Sequence, residues 1–198
     1  MAMAQGKRSS LTANDWTAAA LDALARGGLA AVAVEPLAKS LGTTKGSFYW
    51  HFADRNALIE AALERWEQRD TERVIQAADQ AADVTSRLRE LLRLVFTAVL
   101  GAPVPGAGSV ELALQASAAD PLVAGTLARV TERRLTYLNS LFAELGLSEA
   151  RARDRALLAY AAFLGHAQLA HSTPTQMPTG RALTAHVDQV INTLTVIS

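Results

Sequence analysis

The stretch from Leu37 to Phe52, LAKSLGTTKGSFYWHF, constrains the fold of this chain more than any other. Leu37, Ala38 and Leu41 give a short segment one apolar face, the segment stops at Gly42, and a second begins after Thr43 or Thr44. Glycine adopts the left-handed conformation that turns a chain sharply. A threonine hydroxyl accepts from the free N–H groups that open a helix. The spacing therefore predicts two short helices at a steep angle, a helix-turn-helix arrangement. Phe48 and Phe52 are four apart, share one face and anchor the second helix inward. Lys45, Ser47 and Tyr49 are left facing out.

The rest of the chain reads as helical support. Half of its 198 residues are apolar, alanine is common, and no hairpin signal or β-branched run suggests a sheet. The expected fold is all-α: a three-helix head on a larger C-terminal helical bundle, about nine helices in all. With no cysteine, disulfides and thiolate chemistry are excluded. No apolar run approaches the ~18 residues of a membrane span, and MAMAQGKRSS lacks a secretory apolar core, so a cytoplasmic location is expected. The net charge is zero, but residues 1–55 carry Lys7, Arg8, Arg26, Lys39, Lys45 and Arg55 against Asp15, Asp22, Glu35 and Asp54. That leaves a modestly basic head and an acidic body. Attraction to phosphates would be correspondingly modest, and DNA binding would depend on a specific site and two heads acting together.

In chain order, residues 1–11 are expected to form a flexible arm, 12–53 the head, and 54–198 the body. Helix 1 runs from a cap at Thr12 or Asn14 to Arg26, with Trp16, Ala20 and Leu24 buried and Gly27-Gly28 as its stop. Helix 2 spans about Val34 to Leu41, with Ala33 where a capping hydroxyl would help and Pro36 tolerated in the first turn. Helix 4 starts at Ala53 or Asp54 and buries Ile59, Leu63 and Trp66, followed by a solvated polar run from Glu67 to Arg73. Leu88, Leu91, Leu92, Val95 and Val99 mark the next helix, closed by Gly101. A loop from Ala102 to Ser109 and a short helix from Val110 to Ala118 follow. Asp120-Pro121 opens a long helix that ends at Gly146, and Ser148 caps the one after it. The loop from Ser172 to Gly180 precedes a last helix carrying Leu183, Val187, Val190, Ile191 and Leu194. The last two helices have more small and apolar surface than one core needs, which suggests a homodimer through a four-helix bundle.

The run from Thr12 to Leu63 resembles the DNA-binding domain of the tetracycline-repressor-like (TetR) family of bacterial transcriptional regulators. T-K-G-S followed by F-Y-W-H-F carries the likeness, which covers about a quarter of the chain. The resemblance implies that Thr44, Lys45, Gly46 and Ser47 read base edges while Tyr49, Trp50 and His51 grip phosphates. An exposed Tyr-Trp pair beside a lysine is itself costly unless it meets a partner. Arg55 matches a phosphate-contacting position, with a surface ion pair as its other reading.

Trp66, Phe96, Phe142, Tyr137, Tyr160 and Phe163 are either core or the wall of a cavity. Their helices are those on which the resemblance places a small-molecule effector. Gln115, Asn139 and Gln168 are candidates for its polar groups. His166 and His171, five apart, do not share a helix face, and no carboxylate stands at ligand spacing, so no metal or cofactor is expected. No GxSxG, HExxH, phosphate loop or working carboxylate pair appears, so no catalytic residue is assigned and an enzyme is not expected. The expected function is a ligand-responsive regulator, a repressor, that binds a palindromic double-stranded operator as a homodimer and is released by an effector. The alternative is a helical small-molecule sensor or adaptor without specific DNA binding.

Overall fold

The computed structural model describes residues 11–100 and 107–196, and every described element is helical. The head comprises α1 (Ala13–Ala31), α2 (Val34–Ser40) and α3 (Lys45–Phe48). There follow α4 (Arg55–Glu67), a π-helical turn (Gln68–Glu72), α5 (Arg73–Ala78) and α6 (Val84–Leu100). The body is completed by α7 (Ala107–Ala116), α8 (Pro121–Glu144), α9 (Glu149–Ser172) and α10 (Gly180–Thr195). Because α4, the π turn and α5 form one unbroken run, the described residues make nine such runs, besides a single 3-10 turn at Pro174–Gln176. Residues 1–10 of the expected arm, Gly101 and most of the loop after it lie outside the described residues.

Local signals decide most of the helix ends. Thr12 caps α1 through a reciprocal box, its hydroxyl accepting from the Asp15 N–H while the Asp15 carboxylate accepts from the Thr12 N–H at 2.8 Å. The Thr12 N–H first, and then the Thr12 hydroxyl donating to the same carboxylate at 2.8 Å, hold the exposed Asp15 carboxyl below its ordinary pKa. The helical geometry breaks at Gly27-Gly28 as expected, but the chain then makes one more turn to Ala31. At α2 no side chain caps the start, as Ala33 foretold. Asp54 caps α4, accepting from the Ala57 N–H at 2.9 Å, and Asp120 caps α8 with Pro121 in the first turn. Ser148 stands at the cap position of α9 without a side-chain hydrogen bond.

Two apolar cores result. In the first, Trp16, Leu24, Phe48, Leu58 and Leu63 join Val110 and Leu114 of α7 and Val123 and Val130 of α8. The head is thus packed into the body through α1 on α7 and α4 on α8. Burying each such side chain contributes about 1.5–3 kcal/mol, so this contact resists free rotation of the head. The second core joins Leu88 and Phe96 of α6, Leu141 and Phe142 of α8, Tyr160 of α9 and Ile191 of α10.

The polar run from Glu67 to Arg73 departs from the solvated face expected of it. One residue more per turn in the π segment shifts the helix phase, and Thr71 is turned inward to 1% exposure. Three charges of α8 meet this segment: Arg129 reaches Glu67 at 2.7 Å, Arg133 reaches Glu72 at 3.2 Å, and Arg134 donates to Thr71 Oγ1 at 2.9 Å.

Candidate nucleic-acid interface and effector cavity

The turn between α2 and α3 is built as its residues dictate. Gly42 takes φ = 64°, the Thr43 N–H donates to Ala38 O at 2.9 Å, and the Gly42 N–H donates to Lys39 O at 3.2 Å. This pair of bonds satisfies the last carbonyls of α2 and reverses the chain. Thr44 then caps α3, its Oγ1 accepting from the Ser47 N–H at 3.4 Å. Phe48 is fully buried, edge-on to Trp16 at 5.3 Å and stacked on Phe52 at 5.7 Å. That anchor determines what points away from the core: Tyr49 is 56% exposed and Trp50 88% exposed.

Thr44, Lys45, Gly46, Ser47, Tyr49, Trp50 and His51 therefore lie together on α3 and the turn that ends it. Lys45 Nζ meets Glu35 Oε1 of α2 at 2.9 Å, an exposed pair whose hydrogen bond and field raise the lysine pKa. A Cβ at Gly46 would be in ordinary contact with Thr44 Oγ1 at 3.7 Å, so packing of the head does not demand glycine there. Arg55 stands apart from the set. Its Nε donates to Val32 O at 2.6 Å and one terminal nitrogen to Leu29 O at 2.5 Å. The guanidinium thus closes the open carbonyl end of α1, a task distinct from both a phosphate contact and a surface ion pair.

In the body a cavity of about 120 Å³ lies among the π turn, α5, α6, α8 and α9. Its wall is mainly aliphatic, from Ile75, Leu91, Val95 and Leu138 among others. Of the aromatic residues weighed as core or wall, Tyr137, Tyr160 and Phe163 line it. Trp66, Phe96 and Gln115 do not. Trp66 is fully buried beneath the Arg134 guanidinium, 5.3 Å from its ring centroid, and Phe96 is buried edge-on against His166. Gln115 faces an open groove between α7 and α8 and donates to Glu111 at 3.0 Å. Phe142 belongs to the second core, Gln168 is exposed, and Asn139 holds a buried carbonyl oxygen away from the cavity wall.

The cavity also holds a group that helix patterning did not single out, the Arg134–Glu111 ion pair at 2.7 Å, with side chains 12% and 2% exposed. Burial works against the Arg134 charge, and the carboxylate's field and hydrogen bond hold its pKa above the ordinary value. A signal was present in the sequence. Glu111 is the only charge in the apolar run Val110–Ala116, and Arg134 falls on the apolar stripe of α8. Tyr137 donates to Asp79 at 2.5 Å, and burial followed by this bond pushes its phenol well above the usual range. Between α9 and α10, His166 Nδ1–H donates to Ala162 O at 2.7 Å, which leaves its Nε2 to accept from His186 Nε2 at 3.1 Å.

A helix-turn-helix head packed on a helical body with an internal cavity defines a two-domain, all-helical architecture. Residues 17–62 match the family model described as bacterial regulatory proteins, tetR family. The head therefore resembles the DNA-binding domain of the TetR family. Solved structures agree with the fold over nearly the whole length. A transcriptional regulator from Rhodococcus sp. RHA1 is 21% identical with a TM-score of 0.73, over 95% of this chain and 100% of that one. The regulator FadR from Bacillus subtilis, in complex with stearoyl-CoA, is 15% identical with a TM-score of 0.68, over 91% and 96%. A Saccharomonospora viridis protein in complex with choline is 18% identical with a TM-score of 0.71, over 92% of each chain. No curated protein matches by sequence. Among the described residues, no helix is long and apolar enough to cross a membrane.

Proposed function

We propose that this protein is a ligand-responsive transcriptional repressor of the cytoplasm that binds a near-palindromic DNA operator as a homodimer. The observation that carries this reading is the pairing of a fully buried Phe48 with exposed Tyr49 and Trp50 in successive positions. The core contact orients α3, and its orientation presents two large aromatic rings and Lys45 to a partner. Each α3 would enter a major groove, with Thr44, Lys45, Gly46 and Ser47 at base edges and Tyr49, Trp50 and His51 at phosphates. Arg55 is left out of this set because two of its nitrogens are engaged by carbonyls at the end of α1, Leu29 O and Val32 O.

Dimerisation is assigned to α9 and α10. Leu157 and Leu158 are 58% and 53% exposed, and Leu169 also faces outward on α9. A second copy would bury this apolar stripe in a four-helix bundle. The effector is assigned to the body cavity. Arg134 touches both that cavity and the run of α4 and the π turn that leads from the head, through Thr71, the Asp70 carbonyl and the face of Trp66. A ligand that favoured one packing of this group over another would shift the balance of head positions. A coupling of about 1–3 kcal/mol changes operator affinity about 5- to 150-fold.

Selection of bound duplexes from a random DNA library at moderate salt, with Lys45→Ala as the control, tests the reading. An inverted repeat that weakens in the variant is the expected result. A folded dimer that selects no motif would instead favour a helical sensor without specific DNA binding.

A further inference from the structure

The polar groups on the cavity wall are already matched within the protein. Among the described residues they are Asp70, Thr71, Glu111, Arg134, Tyr137 and Tyr160. Asp70 is paired with Arg69, Arg134 with Glu111 and Thr71, Tyr137 with Asp79, and Tyr160 with Thr131 at 3.3 Å. Glu111 also accepts from Gln115, so both its oxygens are engaged. The charges on the wall are balanced by neighbours, and the remaining surface is aliphatic or aromatic.

We infer that the ligand taken by this cavity is an uncharged, apolar molecule of about single-ring size. An ion would bring a charge for which no counter-charge is free, and removing it from water without a partner is costly. An apolar ring asks for no polar partner and gains from leaving water. Size follows from volume, since a dry cavity of about 150 Å³ accommodates benzene and this one has about 120 Å³. The inference rests on the cavity being the effector site and names the chemistry that site admits. It separates this protein from structural relatives solved with stearoyl-CoA or choline, both of which carry charge.

The test is titration of the full-length dimer with toluene, benzoate and benzylammonium, followed by calorimetry and by thermal midpoint. These probes share a ring and differ in charge. Toluene is expected to bind at least about tenfold more tightly than either ion and to raise the midpoint. Ala159→Phe, which places a ring in the cavity, is expected to abolish toluene binding while the protein stays folded. Should that variant fail to fold, Ile75→Ala enlarges the space and is expected to favour naphthalene over toluene, reversing the wild-type order. Either ion binding as tightly as toluene overturns the assigned chemistry and leaves the cavity standing as a ligand site. Toluene binding unchanged by Ala159→Phe overturns the assignment to this cavity. If none of the three probes binds and Ile75→Ala creates no affinity for naphthalene, the effector reading of the cavity falls as well, whereas operator selection decides DNA binding independently.

Discussion

Glu111→Gln keeps the shape of a buried side chain and removes its charge, leaving the Arg134 guanidinium with no counter-ion. The structure makes this a severe change. Glu111 is 2% exposed, and Arg134 is enclosed by Thr71 at 2.9 Å and by the rings of Trp66 and Phe163 at 5.3 and 5.8 Å. Breaking a buried pair by removing one partner costs about 3–5 kcal/mol, against a total stability of about 5–15 kcal/mol. At roughly 2–4 °C per kcal/mol for a chain of this size, the midpoint should fall by about 6–20 °C. Glu111→Leu combined with Arg134→Met removes both charges and should recover most of the loss, since an apolar replacement of a buried pair is often neutral or stabilising. The assay is urea unfolding at fixed protein concentration, because the proposed dimerisation would make stability concentration-dependent. Far-UV circular dichroism and the fluorescence of the buried Trp16 and Trp66 report the transition. A loss below about 1 kcal/mol for Glu111→Gln, or a double variant as unstable as the single one, would refute the argument that the pair is desolvated and mutually dependent.

Glu35→Gln frees Lys45 from its exposed partner and removes a negative charge beside the proposed phosphate surface. Operator affinity should rise, most at low salt where screening is weakest; a fall in affinity measured by fluorescence anisotropy would contradict the placement of Lys45 at DNA. Gly42→Ala meets no atom within 4 Å but must hold φ = 64°, so urea unfolding should show a loss of about 1–2 kcal/mol from backbone strain alone. Because the folded-state pKa of Tyr137 is raised, the stability it contributes is fully present below the unfolded value of about 10 and declines as pH climbs from there toward the folded value. Thermal melts of Tyr137→Phe should therefore fall less steeply than wild type above about pH 10; parallel curves would exclude this group as the source. Leu158→Arg puts a charge on the exposed apolar stripe of α9, and sedimentation should show monomers where wild type forms the proposed dimer; an unchanged dimer would move the interface elsewhere.

The aromatic residues that the TetR resemblance pointed to as core or cavity wall divide between the two, and the division has a physical cause. Tyr137 and Tyr160 each combine an apolar body with a polar tip, and each sits on the wall with that tip bonded sideways, to Asp79 and Thr131. Phe163 joins them one turn beyond Tyr160. Trp66 and Phe96 satisfy the same periodic pattern yet lie behind the wall, because a spacing of three or four marks the buried face of a helix without saying whether that face meets atoms or space. Gln115 follows the phase of α7, whose pairing with Glu111 turns it toward the groove between α7 and α8. The solvated face expected from Glu67 to Arg73 assumed an unbroken α-helical phase, and the π turn shifts it by enough to bury Thr71.

The head was legible in detail because its determinants act over a few residues. Gly42 alone among its neighbours takes the left-handed turn without strain, Thr44 caps the helix three residues ahead, and Phe48 faces the core because the helical period leaves it no other direction. The same short range fixes Tyr49 and Trp50 outside. Arg55 escaped this logic, since the carbonyls it closes lie 23 and 26 residues earlier in the chain. Arg134 finds Glu111 23 residues back and Thr71 63 residues back, a meeting that depends on how α7, α8 and the π turn cross. Short-range hydrogen bonds and helical phase are written in neighbouring residues, so sequence alone determines the recognition motif. The partners of a buried charge and the volume left between helices depend on packing across the whole body, and only the tertiary structure decides them.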